Sequence, residues 1–192
     1  IYTDDGSGPV FDRCRIHSNT ASGGYGGGGL FFNAYSSPSV INCIINGNTA
    51  TGTSGGGGIY AGSSDPNASG FAIVQNSIVS TNSSSGSPGN EIFIEGQYGF
   101  QISNTVAWGT TGAVYFASAP MADNLLNCGL QDVSGSGGEI DISTFTSCIL
   151  LNSSNTAANG PNFTNPGSQD FSIPFGSPLM DMGTFAVDPV PP

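Results

Sequence analysis

Residues 9–29 read PVFDRCRIHSNTASGGYGGGG and residues 38–58 read PSVINCIINGNTATGTSGGGG, two stretches that align without a gap 29 residues apart. Eleven of the twenty-one positions are identical, among them Pro9/Pro38, Cys14/Cys43, Ile16/Ile45, the Asn19-Thr20-Ala21 and Asn48-Thr49-Ala50 triplets and both tetraglycines. Self-similarity at such a period marks a solenoid, in which each repeat buries its apolar face against the next.

Beyond these copies a shorter signature persists, an Asn followed by Cys, Ser or Thr beside an apolar run. It recurs at Asn42, Asn76, Asn104, Asn127 and Asn152, at intervals of 34, 28, 23 and 25 residues. The apolar runs are strand-sized: Val40–Ile45, Phe71–Val74, Ile92–Ile94, Thr105–Trp108, Ala113–Phe116, Glu139–Ile142 and Cys148–Leu151. None is long enough for a typical helix, and Gly, Pro, Ser and Asn separate them. Two or three short strands per period describe a coil of a parallel β-helix. Its coils stack ~4.8 Å apart, so equivalent positions form ladders, and the five asparagines are expected to bond amide to amide along the axis. The leucine consensus and helix of a leucine-rich repeat are absent.

The 192 residues suffice for one domain, with no change of composition that would mark a linker. Only 8% of residues are charged, lysine is absent, and Arg13 and Arg15 stand against thirteen carboxylates for a net charge of −11. That charge repels phosphate backbones and anionic membrane surfaces, so nucleic acid is not expected as a partner. No apolar run approaches the roughly 20 residues of a membrane-spanning helix. A sequence that opens at Ile1 without a leader fits a processed, secreted or cell-surface chain.

The stretch Asn46 to Tyr60 (Asn-x-Asn-Thr-Ala, then Gly-Gly-Gly-Gly-Ile-Tyr) resembles the coils of secreted right-handed parallel β-helix surface proteins, including those of the polymorphic outer-membrane-protein type. Asp170 to Gly183, DFSIPFGSPLMDMG, is similar to the closing segment that follows the last coil in large bacterial surface β-helix proteins. The resemblance implies an all-β, single-domain right-handed parallel β-helix of about six coils over residues 1–183, with an extended tail at 184–192. It implies no activity.

Parallel β-helices host polysaccharide lyases and glycoside hydrolases, so the carboxylates Asp4, Asp5, Glu91, Glu95, Glu139 and Asp141 are the residues to weigh. Glycosidases need two carboxyl groups about 5–9.5 Å apart, which any acidic pair on neighbouring coils can meet. Lyase chemistry wants a basic residue and cations, and here two arginines share one coil. Surface positions are the expectation for all of them, and no catalytic residue is assigned. His17 is the sole histidine, which excludes a multi-histidine metal site. In the second copy its place is taken by Asn46.

Cys14 and Cys43 share a repeat position, and Cys128 and Cys148 lie 20 residues apart, close to the late period. Each pair is either a disulfide or a buried thiol ladder. The tetraglycines lack the Lys-Ser/Thr of a phosphate loop. No cofactor is expected; the acidic loops would tolerate Ca2+, but the known calcium loops are missing. The sequons at Asn67, Asn82, Asn152 and Asn162 matter only in a host that glycosylates them. Tyr60, Phe93 and Tyr115 are expected as packing on one face, with a glycan-binding row as the rival.

The expected function is that of a non-enzymatic extracellular structural protein. With about nine residues before the repeat, too few for a capping helix, and a strand-like segment at Thr184, Phe185, Ala186 and Val187, the chain is expected to associate head to tail with copies of itself. A cell-surface adhesin binding glycans is the second reading, a carbohydrate-active enzyme the third.

Overall fold

The computed structural model describes residues 1–62, 70–86, 88–96, 98–109, 112–155, 160–174 and 177–179. Among them the chain is all-β, with helix only as single 3-10 turns at Ala122–Asn124, Ile142–Thr144 and Pro166–Ser168. The strands come in short sets. The first holds β1 (Tyr2–Thr3), β2 (Val10–Asp12), β3 (Arg15–His17) and β4 (Thr20–Ala21). The second holds β5 (Leu30–Phe32), β6 (Ser39–Ile41), β7 (Ile44–Asn46) and β8 (Thr49–Ala50). The third holds β9 (Ile59–Ala61), β10 (Phe71–Gln75), β11 (Ile78–Ser80) and β12 (Ser83–Ser84). Next come β13 (Ile92–Ile94), β14 (Gly99–Ser103) and β15 (Val106–Trp108), then β16 (Val114–Phe116), β17 (Leu125–Leu126) and β18 (Gly129–Gln131). The last are β19 (Val133–Gly135), β20 (Gly138–Glu139) and β21 (Ile149–Leu151).

Except for β19 and β20, strands next to each other in sequence belong to different sheets. The first sheet runs β1-β5-β9-β13-β16-β19-β20, the second β2-β6-β10-β14-β17, the third β3-β7-β11-β15-β18-β21 and the fourth β4-β8-β12. The chain therefore visits the sheets in rotation and returns to the first one position further along, a path called here a circuit. All pairings are parallel except β19 with β20. The 29-residue repeat is the register itself: Arg15 pairs with Ile44, Thr20 with Thr49 and Phe31 with Tyr60.

Inward side chains from the first three sheets meet in one core, with Leu30 and Ile59 from the first, Val40 and Ile102 from the second and Ile45 and Leu130 from the third fully buried. Each such side chain gains roughly 1.5–3 kcal/mol from leaving water. Strands this short turn corners by adopting φ > 0. Between the second and third sheets that residue is Arg13, Asn42, Asn76, Asn104, Asn127 or Ser147, with φ from 48° to 56°. Asparagine tolerates this conformation better than other side chains.

Three expectations need correction. Val40–Ile45 is not one strand: Asn42 breaks it between β6 and β7, so Val40, Cys43 and Ile45 all reach the core. Glu139–Ile142 is not a strand either, since β20 ends at Glu139 and a 3-10 turn begins at Ile142, with Asp141 Oδ1 accepting from the Ser143 N–H. Asn152 does not continue the asparagine column. It follows β21, where Leu151 pairs with Gln131, whereas Asn127 leads into β18. Ser147 takes the expected corner position, with Thr146 carbonyl accepting from Asn127 N–H at 2.9 Å. The matching stretches Leu125-Leu126-Asn127 and Leu150-Leu151-Asn152 are thus out of register with the backbone.

The chain after β21 turns back along the outer face of the third sheet. Phe163, Phe171 and Leu179 form a second apolar cluster with Val106, Trp108 and Leu151. Trp108 meets the edge of Phe163 at 5.9 Å between ring centroids and donates from Nε1 to Asn152 carbonyl at 2.8 Å. The same segment reaches the first circuit, where Arg15 Nη2 donates to Gln169 Oε1. The first part of the expected closing segment, Asp170–Pro174, therefore lies beside the strands. Thr184–Val187 and the whole 184–192 tail lie outside the described residues.

Candidate functional site

Among the described residues each of β1, β2, β3 and β4 is the terminal strand of its sheet, so one edge of every sheet faces the same end of the molecule. That end also gathers exposed apolar groups. Ile1, Tyr2, Val10 and Tyr25 are exposed there, Val10 at 65%. Unpaired strand edges beside apolar side chains are the usual template for adding another strand.

Three ladders terminate at this end. In the first sheet, Tyr2, Phe31, Tyr60, Phe93 and Tyr115 stack in sequence, with centroid separations of 5.1, 4.8, 5.5 and 5.0 Å and interplanar angles of 20° or less. The tetraglycines pass across this stack. A Cβ at Gly55 would come within 2.6 Å of the Phe93 ring, and one at Gly26 within 1.5 Å of Gly55 carbonyl oxygen. Only glycine permits turns this close, and the turns bond to one another: Gly27 N–H to Gly56 carbonyl at 2.7 Å, Gly56 N–H to Gly89 carbonyl at 2.6 Å.

The second ladder is made by the Asn-Thr-Ala triplets. Asn48 Oδ1 accepts from the backbone N–H and Nδ2 of Asn19 at 3.0 and 2.9 Å. Asn82 Oδ1 accepts the same pair from Asn48, both at 2.9 Å. Glu91 Oε2 then accepts both donors of Asn82, at 3.1 and 2.6 Å. Asn48, Asn82 and Glu91 are fully buried, while Asn19 is exposed at the open end. The sequence held a signal for this ladder in the repeated triplet, but the more frequent Asn-Cys/Ser/Thr pattern drew the expectation elsewhere.

The expected column is only partly a ladder. Asn104 Nδ2 donates to Asn76 Oδ1 at 3.0 Å and Asn127 Nδ2 to Asn104 Oδ1 at 3.2 Å, but Asn42 Nδ2 donates to Asp12 Oδ1 at 3.0 Å. The Arg13 guanidinium, then the Asn42 amide, hold the Asp12 carboxyl below its ordinary range.

The third ladder is the cysteine column. Cys43, Cys128 and Cys148 are buried and Cys14 is half-buried, all four as free thiols. Burial pushes the Cys43 thiol up.

The other candidates disperse. Glu91 ends the buried asparagine ladder, and Glu95 accepts from the Tyr60 hydroxyl; burial and that carboxylate push the Tyr60 phenol far above its usual value. Glu139 and Asp141 are exposed, and Asp4 accepts from Asn33 Nδ2 at 2.8 Å. His17 pairs with Asn46 as the repeat required, its Nδ1 3.2 Å from Ser18 Oγ. Asn82, being buried, offers no site for glycosylation in the folded chain; Asn152 is exposed, Asn162 half-buried and Asn67 outside the described residues. No group of three His, Cys, Asp or Glu among the described residues could hold a metal ion. No helix there is long and apolar enough to cross a membrane.

A cavity of about 440 Å3 opens at the same end, lined by Tyr2, Tyr25, Phe31, Asn19, Thr20 and the glycine-rich segment. Tyr25 stands edge-on to Phe31 at 6.1 Å. Aromatic walls with an amide at the rim make a surface that can take a flat, partly apolar group. No family profile, curated protein or solved structure matches the chain.

Proposed function

We propose that this chain is a non-enzymatic extracellular structural protein, a right-handed parallel β-helix of about six coils that associates head to tail with copies of itself. The β-helix reading is supported by the rotation of consecutive strands through the sheets in register. Right-handedness follows from the near-universal hand of parallel crossovers. The association is supported by one observation above all: the open edges of β1 to β4 and the exposed Val10 share one end.

Charge does not favour that end: Arg13 and Arg15, the only Lys or Arg side chains, share the first circuit with the exposed Asp4, Asp5 and Asp12, and the exposed Glu139 and Asp141 lie in the last. Leu150, 54% exposed, adds an apolar group at the far end. Two different ends that meet head to tail make a heterologous contact, which builds filaments when it does not close. Sedimentation velocity and electron microscopy over a range of concentrations test the reading. Growing oligomers in the parent, and their loss in Val10→Lys, are expected; a parent that stays monomeric at millimolar concentration sinks it.

A second reading is favoured by the cavity at Tyr2, Tyr25 and Phe31, where a neutral pyranose ring would stack as an adhesin's ligand. Titration with soluble oligosaccharides separates the two. Saturable heat that Tyr25→Ala abolishes would favour the adhesin.

A further inference from the structure

The register places the four cysteines in one column with two hydroxyl residues between them. Ile44 N–H bonds to Cys14 carbonyl at 3.0 Å, Ile78 to Cys43 at 2.9 Å, Val106 to Ser77 at 3.0 Å, Gly129 to Thr105 at 3.1 Å and Ile149 to Cys128 at 2.8 Å. Circuit by circuit the column reads Cys14, Cys43, Ser77, Thr105, Cys128, Cys148. All six side chains serve the backbone alike, each donating to the carbonyl two residues earlier: Ser77 to Gln75 at 2.7 Å, Thr105 to Ser103 at 2.8 Å, Cys43 to Ile41 at 3.2 Å, Cys128 to Leu126 at 3.2 Å. Cys14 and Cys148 do so to Asp12 and Thr146, at 3.3 and 3.6 Å. A hydroxyl therefore satisfies this position. Cysteine replaces it only in adjacent pairs, and only at the first and last steps of the column.

Directly opposed residues on neighbouring parallel strands lie ~4.8 Å apart, inside the window of about 4.4–6.8 Å between the Cα atoms of a disulfide. We propose that Cys14–Cys43 and Cys128–Cys148 are disulfide-forming pairs that fasten the first circuit to the second and the last to the one before it. Terminal repeats of a stacked structure contact a neighbour on one side only and are the first to fray. A covalent tie acts where the stack is weakest.

The oxidant is a low-molecular-weight disulfide of the glutathione class. A thiolate of the pair attacks it, one glutathione leaves as thiol, and the second protein thiolate displaces the other, so two thiols become one disulfide while one disulfide becomes two thiols. Cys14 is half-buried and gives the first pair a point of entry. In the second pair the entry is Cys148: contact with the Cys128 thiol lowers the Cys148 pKa, while the same contact and burial raise that of Cys128.

The full chain, equilibrated in oxidised and then in reduced glutathione, tests this. Oxidation should lower the mass by about 4 Da, two hydrogens per bond. Peptide mapping should return links 14–43 and 128–148 alone. Cys14→Ser/Cys43→Ser and Cys128→Ser/Cys148→Ser keep the column's hydrogen bonds, so both variants should fold. Each should lose one link and the corresponding redox-dependent resistance of its end to proteolysis. Reduction of the parent should lower the melting temperature by on the order of 10 °C. Four free thiols after oxidation, a link between Cys43 and Cys128, or a proteolysis pattern indifferent to redox state would each overturn the proposal.

Discussion

Asn48 donates from Nδ2 to Ile16 carbonyl and to Asn82 Oδ1, both at 2.9 Å, and accepts two bonds from Asn19 on its own Oδ1. It is fully buried, so removing the amide strands partners that water cannot reach. Asn48→Ala should therefore cost about 2–4 kcal/mol, read as a lower urea midpoint with an unchanged slope. Asn48→Asp should cost more, because a carboxylate would face Ile16 and Asn82 oxygens with no proton to give them. A residue that only held a turn would instead tolerate Asp well. The corner asparagines, Asn76 and Asn104, answer that second description: their φ values of 50° and 48° explain the choice of residue, and they sit near the surface. One residue type thus does two jobs, and the sequence reading merged them.

At the scale of the element, the tetraglycine turns decide how closely neighbouring circuits approach. Gly56 has φ +77°, and a Cβ there would lie 2.5 Å from Ile59 carbonyl oxygen. Gly56→Ala should destabilise the chain by at least about 2 kcal/mol, from a strained backbone and a displaced turn together. Gly23, in the glycine-rich segment of the first circuit, meets nothing within 4 Å, and Gly23→Ala should change stability by under about 0.5 kcal/mol. Thermal melts of the two variants side by side check the contrast. Equal losses would mean that the turns matter only as flexible linkers. Legibility follows the same division. Strand existence could be read from the apolar runs, as at Ile92–Ile94, because inward positions need apolar side chains whatever their neighbours. The break at Asn42 could not, because a single φ > 0 residue inside an apolar run leaves no mark on hydrophobic periodicity.

For the whole molecule, the proposed assembly rests on open edges and apolar groups, and it works against the repulsion between copies that each carry a net charge of −11. Oligomer formation should therefore speed up several-fold between 50 and 500 mM salt, as screening weakens that repulsion. Arg13→Glu/Arg15→Glu should steepen that dependence and weaken assembly at low salt. Assembly that slows with added salt would instead assign the contact to attraction between opposite charges. The amino-acid sequence by itself determined the all-β character, the 29-residue register of the first two circuits and the absence of cationic surface beyond Arg13 and Arg15. These follow from local composition and from repetition, which fix what each residue must do for its nearest equivalents. Only the tertiary structure decided that the triplet asparagines end on the buried Glu91, that Ser147 and not Asn152 completes the corner column, and that the segment after β21 returns along the third sheet to Arg15. Those facts depend on which circuit stacks on which and by how many residues each is offset, and circuits whose length varies from 20 to 34 residues leave that offset to packing in three dimensions.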